Sequence, residues 1–196
     1  MTENLEDKDA GLRAQVTLLL TWRQRAIRAT VGHYYASSFY RVFSTFFTCF
    51  NLLAAIAVLF LTNNRVILEH LKVDYSLALD WWIAGSSLIV VLTTALQYVL
   101  QLDQRSKDHK SAGNEFTHIK RTIETHLIAE RISEYGLREI SLLHNHASKN
   151  YPLVPNLLWK ISTRKMLPHL NSDLDFDAAI RSKFELSRAS QQSAQM

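Results

Sequence analysis

Residues 42–64 read VFSTFFTCFNLLAAIAVLFLTNN, and no Asp, Glu, Lys, Arg or His interrupts these 23 positions. Twelve of them are Leu, Ile, Phe or Val. A second run, residues 81–102, reads WWIAGSSLIVVLTTALQYVLQL and lies between Asp80 and Asp103; ten of its 22 positions are Leu, Ile or Val. At a rise of about 1.5 Å per residue each run makes a helix of roughly 33–35 Å. That length crosses a hydrocarbon core of about 30 Å, and the apolar content favours insertion. The two runs therefore predict an all-α chain built on a two-transmembrane helical hairpin.

Composition alone hides this pattern. The chain has 196 residues, 47% of them hydrophobic and 20% charged. Its mean hydropathy is only -0.06, because polar flanks offset the two apolar runs. The apolar content excludes a disordered chain. The single Cys49 excludes an intrachain disulfide scaffold. Forty-one residues precede the first run, so it reads as an uncleaved span rather than a cleavable signal peptide.

Charge orients the hairpin. The segment 1–41 sums to +2, the connector 65–80 to -1 and the segment 103–196 to +3. Arg23, Arg25, Arg28 and Arg41 precede the first span, and Arg105, Lys107 and Lys110 follow the second, whereas the connector holds only Arg65 and Lys72. The positive-inside rule places both termini in the cytoplasm and the connector outside. The lipid bilayer is then an obligate partner. The basic excess is too diluted by acids, and too poor in interleaved aromatic residues, for nucleic-acid binding.

Helical spacing continues outside the spans. Residues 1–9 are polar and expected to fray. Leu12, Val16, Leu19, Ile27, Val31 and Tyr34 recur along a helix over about 12–39, with Gly32 as an expected kink. A single helix is expected over about 79–130. Its cytoplasmic part carries Ala112, Phe116, Ile119, Ile123 and Leu127 on one face, with Gly113 as a soft spot. Ser133 suits the N-cap of a helix over 134–149. Pro152 and Pro155 end it, and a short helix over 156–166 follows. Residues 173–186 suit a helix, 171–196 read as a polar C-terminal tail, and its last ten residues as disordered. The domain division is thus 1–9 disordered, 10–170 a two-transmembrane domain with cytoplasmic helices over 10–40 and 103–168, and the tail.

The candidate site is a pair of polar stripes within the spans. Ser44, Thr48 and Asn51 share one face of the first helix; Ser86, Thr93, Gln97 and Gln101 share one face of the second. In an antiparallel hairpin Thr48 lies level with Gln97, and Asn51 with Thr93. The stripes read either as helix packing, which polar side chains mediate in lipid, or as the lining of a water path in an oligomer of hairpins. A lone hairpin would leave Asn51 and Gln97 short of partners, which favours a homo-oligomer.

Catalytic chemistry is not indicated. There is no GxSxG, Walker loop or glycine-rich phosphate cradle, and no catalytic residue, cofactor or metal is expected. Six of the eight histidines, His109, His118, His126, His144, His146 and His169, follow the second span without a zinc-ligand spacing, so they read as solvated or interfacial. Asp173, Asp175 and Asp177 read as acids placed by the dipole at a Ser-capped helix start, since a Ca²⁺ loop lacks its Gly and Glu.

The order of these parts resembles the SLATT domain family, the two-transmembrane effectors associated with SMODS and SLOG proteins. The resemblance rests on Arg25 and the run HYYASSFYR at 33–41, the hairpin, the emerging helix with His109, Ala112, Phe116 and Ile119, and YPLVP at 151–155. It spans roughly residues 10–168. It implies a non-enzymatic effector of a bacterial conflict or antiphage system in the inner membrane. Such an effector would oligomerise and perforate the membrane on a nucleotide or infection signal, with a nucleotide-signalling or sensor protein encoded nearby. The competing expectation is a membrane anchor or adaptor whose cytoplasmic helices dock a partner protein.

Overall fold

The computed structural model describes residues 3–70, 77–129, 132–166 and 170–193, and among these the fold is all helical. Six helices follow in order: α1 Glu3–His70, α2 Leu77–Leu100, α3 Leu102–Ile128, α4 Glu134–Asn150, α5 Asn156–Met166 and α6 Leu170–Ser193. Lys72 and His169 lie outside the described residues.

The chain divides into two compact units: Met1–Ala36 with Asp108–Met196, and Ser37–Lys107. In the first, the apolar stripes close a core. Leu19, Ile119, Ile123 and Leu127 are fully buried, and Leu20, Phe116, Ile140 and Ile180 nearly so. The whole stripe Ala112, Phe116, Ile119, Ile123 and Leu127 faces inward. Ser133 caps α4, its Oγ accepting the Gly136 N–H at 3.0 Å. After Tyr151 closes α4, the two prolines hold the chain extended until the Trp159 N–H reaches the Pro155 carbonyl at 2.9 Å.

The second unit is built inside out. It contains the hairpin, and its apolar side chains point away from the protein: Leu53 is 67% exposed, Phe60 64% and Val99 73%. The stretches Ala10–Asn64 and Asp80–Ile128 each hold a segment long and apolar enough to cross a membrane, and the most apolar part of each has no buried residue. A buried core helix of a soluble protein would show the reverse. Trp81, Trp82 and Tyr98 are also exposed.

Several expectations are corrected. Helix α1 starts at Glu3, so residues 3–9 are helical rather than frayed. It is continuous across Gly32, whose missing side chain serves packing instead of a kink: a Cβ there would stand 2.7 Å from the Trp159 ring. Leu12 and Tyr34 are exposed, although the periodicity put them on the core stripe. Gly113 is not a weak point either, because the Tyr34 ring packs over it and the Tyr34 hydroxyl donates to Asn114 Oδ1 at 2.6 Å. The expected single helix over 79–130 is two helices. They are separated at Gln101, whose φ of 47 is left-handed and costs a non-glycine residue about 1–2 kcal/mol. The segment read as a polar tail is α6, and Phe176, Ile180 and Phe184 pack it on the core. The last three residues lie outside the described ones.

Candidate functional site

Four of the seven stripe residues form one chain of hydrogen bonds between α1 and α2. The Thr93 hydroxyl donates to Asn51 Oδ1. Asn51 Nδ2 donates to Gln97 Oε1 at 3.4 Å, and Gln97 Nε2 donates to Thr48 Oγ1 at 2.9 Å. The Thr48 hydroxyl in turn donates to the Ser44 carbonyl at 2.9 Å. Each amide uses its oxygen toward one neighbour and its nitrogen toward the next, so all the bonds run in one direction and polarise one another. Thr48 meets Gln97, and Asn51 meets Thr93, as their depths in the hairpin require.

The remaining stripe residues stand apart. Ser44 contributes only its carbonyl. Ser86 bonds back to its own helix, donating to the Trp82 carbonyl at 2.7 Å. Gln101 sits exposed at the break between α2 and α3. Nearer the unit's edge the Ser106 hydroxyl donates to the Ser37 carbonyl at 2.9 Å, and both serines are buried. The expectation that a lone hairpin leaves Asn51 and Gln97 short of partners is therefore corrected in part, since within one chain each amide bonds the other and one threonine, Thr93 or Thr48.

The other unit holds a charged cluster that sequence reasoning missed. Arg23 is 2% exposed. Its Nε donates to Glu124 Oε1, its Nη1 to Asp177 Oδ1 and its Nη2 to Asp173 Oδ1, each at 2.8 Å. Gln24 Nε2 holds the other oxygen of Asp177 at 2.9 Å, and Lys120 Nζ stands 3.4 Å from Asp173. The Phe176 ring lies 4.2 Å from the Arg23 guanidinium carbon, in cation–π contact. One guanidinium thus ties α1, α3 and α6 together. Asp173 does lie in the first turn of α6, but that helix begins at Leu170, so Ser172 is inside it rather than at its cap. The dipole reading of Asp173, Asp175 and Asp177 is corrected: Asp173 and Asp177, one turn apart, hold Arg23, while Asp175 is exposed. Their spacing of four was the available signal, but the sequence does not point to the arginine 150 residues away.

Two histidines are also buried, His33 and His109, and for His109 this corrects the solvated or interfacial reading. The Nδ1 atoms of His33 and His109 stand 3.0 Å apart, with residue exposures of 6% and 3%. Phe116 stacks on the His33 ring and meets His144 edge-on. Burial, with the facing His109, pushes the His33 pKa down to about 4. His144 is lowered as well, by burial and then by Arg25. His118 and His146 are exposed, and His126 packs against Gly136. Among the described residues, no three His, Cys, Asp or Glu side chains converge on a metal position.

No family model, curated protein or solved structure matches the chain.

Proposed function

We propose that this chain is a non-catalytic membrane effector of the SLATT kind. In this reading the hairpin spans the bacterial inner membrane with both termini cytoplasmic. The protein acts in a conflict or antiphage system, as a homo-oligomer that permeabilises the bilayer on a nucleotide or infection signal. The observation that carries the reading is the hairpin's polarity: outward-facing apolar side chains beside an interhelical run of half-buried Thr93, Asn51 and Gln97 that ends on exposed Thr48. The run is closed within one chain, which suits a resting state. The same donors and acceptors can re-pair between neighbouring hairpins, at about 0.5–2 kcal/mol per bond. Closed and assembled states are then close in energy, as a triggered change requires. The second reading, an anchor or adaptor, is favoured by the same closure, because the closed run needs no further hairpin.

Expression with a membrane-potential dye separates the two. Thr93→Leu with Gln97→Leu keeps helix propensity and eases insertion, so abundance in the membrane should be normal. A path lined by Leu dewets, so depolarisation and growth arrest should be lost. Leu88→Ala with Val99→Ala, at residues 59% and 73% exposed, should leave both intact. If the Leu pair is as toxic as the parent at equal abundance, the polar run is packing and the adaptor reading takes its place. If the parent shows no depolarisation even beside its genomic neighbours, the effector reading fails.

A further inference from the structure

The unit formed by Met1–Ala36 and Asp108–Met196 carries a pocket of about 340 Å³, open to solvent along Ser148, Pro152, Leu153 and Asn156. It is walled by α1, α3, the end of α4, residues 151–154 and the start of α5. This volume is in the range of small-molecule sites. Its walls have local causes. Gly32 lets the Trp159 indole lie directly on α1, since a Cβ there would meet two ring carbons at 2.7 and 2.8 Å. Pro152 and Pro155 keep the facing segment extended.

The lining is uncharged, and four of its eleven residues carry aromatic rings. Phe116, Tyr151, Trp159 and the imidazole of His33 contribute, and among the described residues no Lys, Arg, Asp or Glu does. His33 is buried, and its Nδ1 faces Nδ1 of His109 across 3.0 Å. Only one proton fits between two such nitrogens. The remaining polar atom of the ring, Nε2, has no partner among the described residues. Nε2 is not sealed from solvent, since among the described residues Thr30 Oγ1 is the one buried side-chain polar atom without a partner, so water bonds Nε2 and a ligand edge would replace that water.

We propose that this pocket binds an uncharged, planar heteroaromatic molecule, packed against the aromatic walls and hydrogen-bonded to His33 Nε2. Ring-on-ring packing supplies the affinity, and offset or edge contacts orient the guest. An anion or ammonium ion would give up part of its hydration against the inner wall of Ala29, His33 and Phe116 without gaining a countercharge. The lowered pKa keeps His33 neutral at pH 7, so the site offers no charge of its own. When the shared proton rests on His33 Nδ1, His33 Nε2 is an acceptor for the ligand; the other neutral tautomer of the pair needs a second proton delivered by water to His33 Nε2 and one released from His109, and Nε2 is then a donor. The proposal does not depend on the effector reading.

The test uses the full chain in lipid nanodiscs, with indazole as the neutral probe and choline and AMP as charged ones, followed by saturation-transfer NMR. Ser148 is an exposed lining residue of α4, and Ser148→Trp fills the pocket from its mouth without touching the core. This variant keeps the same membrane spans, so probe dissolved in lipid cancels in the difference. Indazole is expected to saturate the parent with a Kd on the order of 1 mM, normal for a fragment of about nine heavy atoms. Ser148→Trp should abolish that binding. His33→Phe keeps a ring but removes Nε2, and should weaken binding about tenfold. Equal signals from the parent and Ser148→Trp would overturn the proposal, as would choline or AMP binding as tightly as indazole.

Discussion

Around Arg23 the chain buries a full charge among apolar side chains; between α1 and α2 it pairs half-buried neutral amides and hydroxyls with one another and turns its apolar side chains outward. The first arrangement needs several carboxylates held at hydrogen-bond distance, because an uncompensated buried charge is far costlier than an unmade neutral bond. The second needs each group to find one neighbour. The difference teaches where the molecule is brittle. Loss of one partner in the charged cluster leaves ions stranded. In the hairpin it leaves a neutral group that finds a substitute in its own helix, as Ser86 already does with the Trp82 carbonyl.

The largest expected effect tests that brittleness directly. Arg23→Met strands buried Asp177 and leaves Asp173 and Glu124 to share Lys120, and should destabilise the bundle by about 3–5 kcal/mol. Thermal unfolding and protease cleavage of α6 both report it. Adding Asp173→Asn, Asp177→Asn and Glu124→Gln should recover most of the loss, since the cost lies in the unpaired charges. If the neutral quadruple variant is as unstable as Arg23→Met, packing of the arginine stem is the cause.

Acidification attacks the same unit through His33. Its folded pKa of about 4 lies below the ordinary 6.5 because of burial and then His109. Between those values the unfolded chain binds a proton that the folded chain refuses. The contribution is therefore fully present above about pH 6.5 and is lost as pH falls toward 4. The drop is a few kcal/mol at most, about 1.4 for each pH unit between the two values, and His144, lowered in the same direction, adds to it. Melting curves at several pH values should show this slope, and His33→Phe should flatten it. A slope unchanged in that variant would assign the effect to other groups.

Gly32→Ala is a packing test within the bundle. The new methyl would press on the Trp159 ring, at a cost of about 1–3 kcal/mol. Trp159→Leu should remove most of that penalty in the double variant, and melting temperatures of the four combinations decide it. The smallest effect belongs to the hairpin. A double-mutant cycle of Asn51→Leu and Gln97→Leu should give a coupling of about 0.6 kcal/mol by unfolding in mixed micelles. A coupling of several kcal/mol would make the two regions equally brittle and erase the contrast.

Much of the fold was legible because it repeats along the chain. The α3 stripe, the Ser133 cap and the proline-bounded start of α5 follow from spacing, capping chemistry and the missing proline N–H. Two helices long and apolar enough for a bilayer follow from the charge-free runs. Among the polar stripe residues, sequence also matched depths: Thr48 with Gln97 and Asn51 with Thr93. The break at Gln101 was illegible, since nothing about a glutamine announces a left-handed backbone.

Sequence by itself determined the middle of most helices and which segments are apolar on all sides, because those properties depend on neighbours within one or two turns, while it missed helical residues 3–9 and the end of α6. Only the tertiary structure decided which polar groups are satisfied, and by what. Arg23 and Asp177 are 154 residues apart, and His33 and His109 are 76 apart. No local pattern distinguishes a solvated arginine or histidine from a buried one. Their state depends on how closely distant helices approach, and hydrogen bonds and ion pairs fall away within about an ångström of misplacement.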